Sequence, residues 1–163
     1  LQINIFMLTQ FEQYLTLENI YLWTNFGVLP FWLMLAFLPS SKLTQFLVNS
    51  IITPLILSTA YLYVAYQAIL IGEPFLEIFK IYISLNELYA VFSTESFLLI
   101  FWLHFLAINL FLGSWVSRES LRYQIPRAIL LISLILIYFA GPLGLIFYWL
   151  FRIFFAKKLR LHD

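Results

Sequence analysis

Apolar stretches long enough to cross a lipid bilayer dominate this sequence. A helix needs about 20 apolar residues to span about 30 Å of hydrocarbon, because it rises about 1.5 Å per residue. Only 10% of the residues are charged, whereas soluble domains carry about 25%. We therefore predict an all-α polytopic membrane protein with four transmembrane helices. The predicted spans are about 20–38, 46–71, 96–116 and 128–155.

The remaining segments flank or connect these spans. Residues 1–19 mix apolar and polar side chains and are predicted to form an N-terminal interfacial arm. Residues 73–95 place apolar side chains at helical spacing between charged ones, which predicts an amphipathic segment lying on the membrane surface. Residues 156–163 form a basic tail after the transmembrane domain, residues 20–155.

The last apolar run is interrupted by Gly141-Pro142-Leu143-Gly144, which leaves two arrangements open. A single kinked helix is favoured because proline kinks are common in membrane helices. Three spans plus a re-entrant hairpin with its tip at 141–144 is the alternative. With four spans, lysines and arginines divide five against four between the two sides, but the hairpin divides them eight against one. Lysines and arginines usually concentrate on one side of a membrane protein, which favours the hairpin, while helix continuity favours four spans.

Composition excludes several classes of function. A formal charge of +1 gives no clustered basic face for nucleic acid. The chain has no cysteine, so it has no disulfide and no thiolate metal site, and two histidines alone do not make a metal site. Glycine-rich phosphate loops and the short motifs of soluble hydrolases and metalloproteases are absent from the sequence. We predict a lipid bilayer as the main partner, no bound metal and no nucleic acid.

Two polar residues of the third span are candidates for function. His104 lies nine residues into this span, where an unpaired imidazole is costly. It is interpreted either as a hydrogen-bond partner of the polar stripe with Tyr63 and Gln67 on the second span, or as a ligand or catalytic contact. Asn109 follows about 140° further round the helix, so the two side chains are predicted to face different neighbours.

Charged residues near the ends of the third span also have a structural and a functional interpretation. Ser93 with Thr94 and Glu95 is predicted to supply an N-cap and a first-turn acid at the start of this helix, with a catalytic acid as the alternative role of Glu95. Arg118, Arg122 and Arg127 are predicted to anchor the chain at the membrane surface, where they would also meet anionic lipid.

Three short motifs in order and spacing carry a family resemblance. They are Phe92-Ser93-Thr94-Glu95, Trp102-Leu103-His104 and Asn109-Leu110-Phe111. Together with Val28-Leu29-Pro30, Tyr61-Leu62-Tyr63 and the glycine-proline motif at 141–144, they make residues 20–155 resemble the abscisic-acid-deficient, neoxanthin-deficient membrane protein family of plants, algae and cyanobacteria.

The resemblance implies a four-helix protein of the thylakoid or cyanobacterial membrane, linked to forming neoxanthin from violaxanthin. The first hypothesis is that the chain binds a carotenoid between its helices, through Tyr63, Gln67, Trp102 and Asn109. If it is an enzyme, His104 and Glu95 would exchange protons in a carotenoid epoxide isomerisation. The family usually has aspartate at the position of Asn109, and an amide cannot serve as a general base.

The second hypothesis is an accessory structural subunit of a photosystem-type membrane complex. The aromatic content of 20%, including 18 phenylalanines, would suit contact with carotenoid or chlorophyll and with neighbouring subunits. Asn109 and the scarcity of acid and base groups favour this hypothesis. The pigments and proteins that copurify with the chain separate the two.

Overall fold

The computed structural model describes residues 14–50, 52–71 and 75–156, with residues 75–78 described as backbone only. These residues form seven α-helices and one 3-10 helix, and no strand occurs among them. The predicted all-α class is confirmed. The predicted arm and basic tail fall mostly outside the described residues.

Three helices are long and apolar enough to cross a membrane. They are α1 (Leu17–Phe37), α3 (Ile52–Leu70) and α5 (Glu95–Arg122), with the short helix α2 (Lys42–Leu47) between the first two. The predicted second span, 46–71, is thus divided between α2 and α3. Pro54 consequently lies in the first turn of α3, where its missing N–H removes no helical hydrogen bond.

The segment between α3 and α5 forms two short helices. A 3-10 helix covers Phe75–Tyr82, and α4 covers Leu85–Phe92. The hydroxyl of Ser84 caps α4 by accepting the Asn86 N–H at 3.2 Å. Tyr82 and Tyr89 are about four-fifths exposed. Large exposed apolar side chains suit a bilayer surface, and the surface location stays a prediction.

The last apolar run forms a helical hairpin. Helix α6 (Arg127–Ala140) and helix α7 (Pro142–Ala156) have 14 and 15 residues. A Cβ at Gly144 would lie 2.8 Å from the carbonyl oxygen of Ser133 and would also meet the backbone of Ile137. A continuous helix would hold residues 133 and 144 about 16 Å apart. The favoured kinked span is therefore not what the chain forms, because α7 folds back on α6.

Contacts with α5 give the direction of each hairpin helix. Gly141, at the tip, lies against Asn109 in the middle of α5, and Arg152 binds Glu119 near the end of α5. Helix α7 therefore runs alongside α5 in the same direction, and α6 runs the opposite way. Four spans are not confirmed, and these contacts match the alternative of three spans plus a re-entrant hairpin.

The chain divides into two compact units. The first contains the described residues up to Phe26 together with Leu57–Phe105. Its core packs one face of α1, α3 and α5 around the small side chains of Ala65 and Ala68, which let helices approach closely. The other buried core residues are Ile20, Val64, Phe97, Leu99, Ile100 and Leu103.

The second unit contains Gly27–Ile56 and the described residues from Leu106 onward. Its core is partly polar. Gly113 leaves room for the indole of Trp32, which a Cβ there would meet at 2.8 Å. The hydroxyl of Ser114 donates to Asn49 Oδ1 at 2.7 Å. Further buried polar residues are Thr44, Thr53, Asn109, Ser117, Glu119, Ser120, Ser133 and Arg152.

Candidate functional site

Two glutamates share a groove of about 480 Å³ in the first unit, which we call the carboxylate groove. Glu18 lies in the first turn of α1 and Glu95 in the first turn of α5. Negative side chains are favoured there because the amino end of a helix carries partial positive charge. The groove is lined by Leu17, Glu18, Tyr21, Glu95, Leu98, Leu99 and Trp102.

The start of α5 differs in one detail from the sequence prediction. Glu95 is the first-turn acid, as expected. Ser93, however, is the residue that ends α4, and its hydroxyl donates to the Tyr89 carbonyl at 2.8 Å. The Ser93 hydroxyl therefore does not cap α5, because it is used at the end of α4, and the part of the predicted cap assigned to Thr94 stays a prediction.

Trp102 forms the deeper wall of the carboxylate groove. Its indole N–H donates to Asn25 Oδ1 at 3.1 Å, and the Asn25 amide donates to the Tyr21 carbonyl at 2.6 Å. The centroid of its ring lies 6.2 Å from that of the Tyr21 ring and 5.3 Å from that of the Phe105 ring, on which it stacks. Seven residues of helix separate Trp102 from Glu95, or about 10 Å. The groove therefore presents carboxylates at one end and an immobilised aromatic wall at the other.

The carboxyl groups of this groove can act as both acid and base in the absence of a lysine, arginine or histidine among its described lining residues. A carboxylic acid donates a proton when neutral and accepts one when ionised, so two carboxyl groups in one groove can supply an acid and a base. The apolar side chains of Leu17, Leu98 and Leu99 line the same groove.

A second groove of about 410 Å³ lies in the same unit, and we call it the amide groove. Gln67 Nε2 donates to the Tyr63 hydroxyl at 3.0 Å. These residues are four apart on α3, so they occupy the same face of the helix. The lining residues are Leu15, Thr16, Leu17, Tyr63, Gln67, Ala68, Ile71 and Ser96.

The six residues singled out from the sequence do not share one site. Glu95 and Trp102 line the carboxylate groove, while Tyr63 and Gln67 line the amide groove. His104 lines neither groove. Its side chain is exposed on the outward face of α5, and no described residue forms a hydrogen bond with its imidazole. The predicted bond between His104 and the second span is not present in the described residues.

Asn109 lies in the second unit and lines neither groove. It is 5% exposed, and its Oδ1 would be 2.5 Å from a Cβ at Gly141. The Nδ2 of Asn109 has no hydrogen-bond partner among the described residues. This geometry makes Asn109 a packing contact of the hairpin tip, and its role as a ligand contact stays a prediction.

Sequence reasoning missed Glu18 and Tyr21. Glu18 falls in the predicted arm, residues 1–19, whereas Tyr21 falls inside the predicted first span but is not among the predicted site residues. Thr16 Oγ1 accepts the Asn19 N–H at 3.2 Å, so α1 begins at Leu17. A threonine followed two residues later by glutamate is a helix-start signal, and it would have placed Glu18 in a first turn like Glu95.

The second unit has an apolar groove of about 450 Å³ on α1 and α6. Trp32 and Tyr138 meet edge to face there, with ring centroids 5.4 Å apart. Its other lining residues are Leu29, Leu33, Ala36, Phe37, Leu131, Leu134, Ile135 and Phe139. No acid or base lines it among the described residues, so it offers packing and no proton transfer.

Comparison with known protein families identifies a match over most of the chain. The model of a family described as ABA4-like, ABA DEFICIENT 4-like, matches residues 19–148. No curated protein and no solved structure matches the chain.

Proposed function

Because this chain belongs to the ABA DEFICIENT 4-like family, we propose that it binds the oxygenated end ring of a xanthophyll in the carboxylate groove. The family resemblance found in the sequence is confirmed, and membership suggests a role in neoxanthin-related xanthophyll metabolism. The observation that carries the proposal is the pairing of Glu18 with Glu95 above the wall formed by Trp102.

The groove matches the two chemical parts of a xanthophyll. An oxygenated end ring needs polar groups near the membrane surface, and both carboxylates occupy first turns of apolar helices long enough to cross a membrane. The polyene that follows the ring needs an apolar, aromatic surface. Leu98 and Leu99 on one turn of α5 and Trp102 on the next supply that surface.

The reaction that suits this groove is an epoxide-opening isomerisation. One carboxylic acid donates a proton to the epoxide oxygen as the ring C–O bond breaks, leaving a hydroxyl. The other carboxylate accepts a proton from a neighbouring chain carbon, and the released electron pair forms a new C=C bond. One proton enters and one leaves, so the product is an isomer. Glu18 replaces His104 as the partner of Glu95, because His104 lines no groove.

The test is pigment analysis in a host that accumulates violaxanthin. Expression of the chain is expected to produce a neoxanthin-type isomer, and Glu18→Gln or Glu95→Gln is expected to abolish it. Glu87→Gln is the matched control, because Glu87 is exposed in the first turn of α4 and lines neither groove. An unchanged pigment profile with the native chain, or equal activity in all variants, would reject the proposal.

One observation favours the second candidate function, an accessory subunit of a photosynthetic membrane complex. The imidazole of His104 is exposed on the same face of α5 as Phe101 and Ile108, both about half exposed, and this face is predicted to meet lipid. A polar ring in hydrocarbon is costly unless another molecule pairs with it. Copurification in mild detergent tests this: a stable complex lost in His104→Phe supports it, and a pigment-free monomer contradicts it. Fractionation of thylakoids tests the location proposed for both functions.

A further inference from the structure

The amide groove carries an inference that is independent of proton transfer by Glu18 and Glu95. We propose that it binds the hydroxyl group of an uncharged ring, through Tyr63 and Gln67. The ligand class is a neutral, hydroxylated ring, such as the end ring of a hydroxylated carotenoid or the sugar of a neutral glycolipid.

The hydrogen bond between Gln67 and Tyr63 leaves a matched donor and acceptor. With Gln67 Nε2 donating to the Tyr63 hydroxyl at 3.0 Å, the phenol hydrogen and the Gln67 Oε1 atom remain available. With the amide turned over, the phenol would donate to Oε1, and the phenol lone pair and the amide N–H would remain. Either orientation offers one donor and one acceptor, which is what a ligand hydroxyl needs on its two sides.

The lining of the groove excludes a charged ligand group. None of the described residues that line it carries a charge. An ionised headgroup would therefore be partly desolvated without an opposite charge, which is unfavourable, whereas a hydroxyl needs only hydrogen bonds. The carboxylate groove differs in this respect, since it contains Glu18 and Glu95.

The remaining side chains suit the faces of a ring. Leu17, Ala68 and Ile71 present apolar surface beside the polar pair. Gln67 lies in the last turn of α3, and Ser96 is the second residue of α5, so the groove opens at helix ends. In apolar helices long enough to cross a membrane, helix ends lie near the bilayer surface, which is the depth at which ring hydroxyls and sugars occur.

Binding to the purified full chain in detergent tests the proposal with four probes. These are zeaxanthin, its unhydroxylated counterpart β-carotene, monogalactosyl diacylglycerol and phosphatidylglycerol, measured by native mass spectrometry. We expect zeaxanthin, the galactolipid, or both to bind more tightly than β-carotene and phosphatidylglycerol. Preference for zeaxanthin alone assigns the groove to a carotenoid ring, and preference for the galactolipid alone assigns it to a headgroup.

Substitutions at Tyr63 and Gln67 test whether the preference for a hydroxylated probe arises in the amide groove. Tyr63→Phe and Gln67→Met each remove one hydrogen-bonding group at nearly constant volume, and each is expected to weaken the preferred probe by about three- to tenfold. Tyr66→Phe is the matched control, because Tyr66 is 57% exposed and lines neither groove. Measured unfolding temperatures establish that each variant folds. If either Tyr63→Phe or Gln67→Met does not fold, the remaining variant tests the proposal.

Two results would overturn the proposal. One is equal binding of the hydroxylated and unhydroxylated carotenoids together with equal binding of the two lipids. The other is an affinity loss in Tyr66→Phe as large as in Tyr63→Phe. Failure of the proposed isomerisation is read from pigment analysis of Glu18→Gln and Glu95→Gln, whereas failure of this inference is read from probe binding by Tyr63→Phe and Gln67→Met, so the two outcomes are distinguishable.

Discussion

The guanidinium of Arg152 binds the carboxylate of Glu119, with Nη2 at 2.9 Å and Nε at 3.1 Å from the same oxygen, Oε2. Arg152 is fully buried, and its guanidinium also lies 4.8 Å from the Trp149 ring and 5.0 Å from the Tyr123 ring. The two partners are 33 residues apart in sequence. Their ion pair joins the far part of α7 to the end of α5.

Removing one member of this pair is expected to destabilise the second unit. Glu119→Gln leaves the buried Arg152 without its carboxylate and should cost about 3–5 kcal/mol. Arg152→Met should cost less, because Arg122 still lies 3.8 Å from Glu119. The measurement is unfolding in detergent. Combining both substitutions should recover part of the loss, and Arg118→Met, at an exposed position, should have little effect.

The hairpin predicts that the connection before α6 and the segment after α7 lie on the same side of the membrane. Because the chain has no cysteine, single cysteines can be labelled with a membrane-impermeant maleimide. Gln124→Cys and His162→Cys should be labelled from the same side, and Glu87→Cys from the other. Eight of the nine lysines and arginines then share the Gln124 side, which is expected to face the cytoplasm or stroma. Labelling of His162→Cys together with Glu87→Cys would restore the four-span topology.

Close packing near the tip of the hairpin should make Gly144 intolerant of a larger residue. The Cβ of Gly144→Ala would meet backbone atoms of α6, which cannot move aside as a side chain can, so we expect a loss of about 3 kcal/mol in unfolding free energy. Gly27→Ala is the control, since a Cβ there meets nothing within 4 Å. Its stability should be unchanged or raised by up to about 1 kcal/mol. Equal effects of the two substitutions would contradict the hairpin packing.

Asn109 and Gly141 should behave as a size-complementary pair. Gly141→Ala alone is expected to cost about 1–3 kcal/mol, because its Cβ would lie 2.5 Å from Asn109 Oδ1. Asn109→Ala removes that obstacle, so the double variant should be more stable than the sum of the single effects by about 1 kcal/mol. A double-mutant cycle of unfolding free energies measures this coupling. Strict additivity would show that the two residues do not contact each other.

Trp102 should contribute to ligand binding through its fixed orientation. Trp102→Phe loses the hydrogen bond to Asn25 and the larger ring surface, and is expected to weaken xanthophyll binding about three- to tenfold. Trp23→Phe is the matched control, because Trp23 is 53% exposed and lines neither groove. The shift of the carotenoid absorption band during titration reports binding. If both variants bind equally, the carboxylate groove is not where the polyene lies.

The local pattern of the sequence was sufficient to predict the helices and one part of the site. Apolar runs predicted α1 and α5 to within a few residues at their starts, because hydrophobic length is a local property. The first-turn position of Glu95 was predictable for the same reason. The pairing of Glu95 with Glu18 was not, because it depends on which ends of α1 and α5 meet. His104 was interpreted either as a partner of a neighbouring helix or as a ligand or catalytic contact, and only packing shows that it faces outward.

The sequence alone determined that this chain is helical, suited to a membrane and similar to one family, since apolar length and motif order are read along the chain. Only the tertiary structure determined whether the last apolar run forms one kinked span or a hairpin. Hydrophobicity is equal in a kinked span and a hairpin, so local pattern could not distinguish them. The contact of Gly144 with Ser133 and the ion pair of Arg152 with Glu119 do distinguish them, because only a chain that folds back can bring such distant residues together.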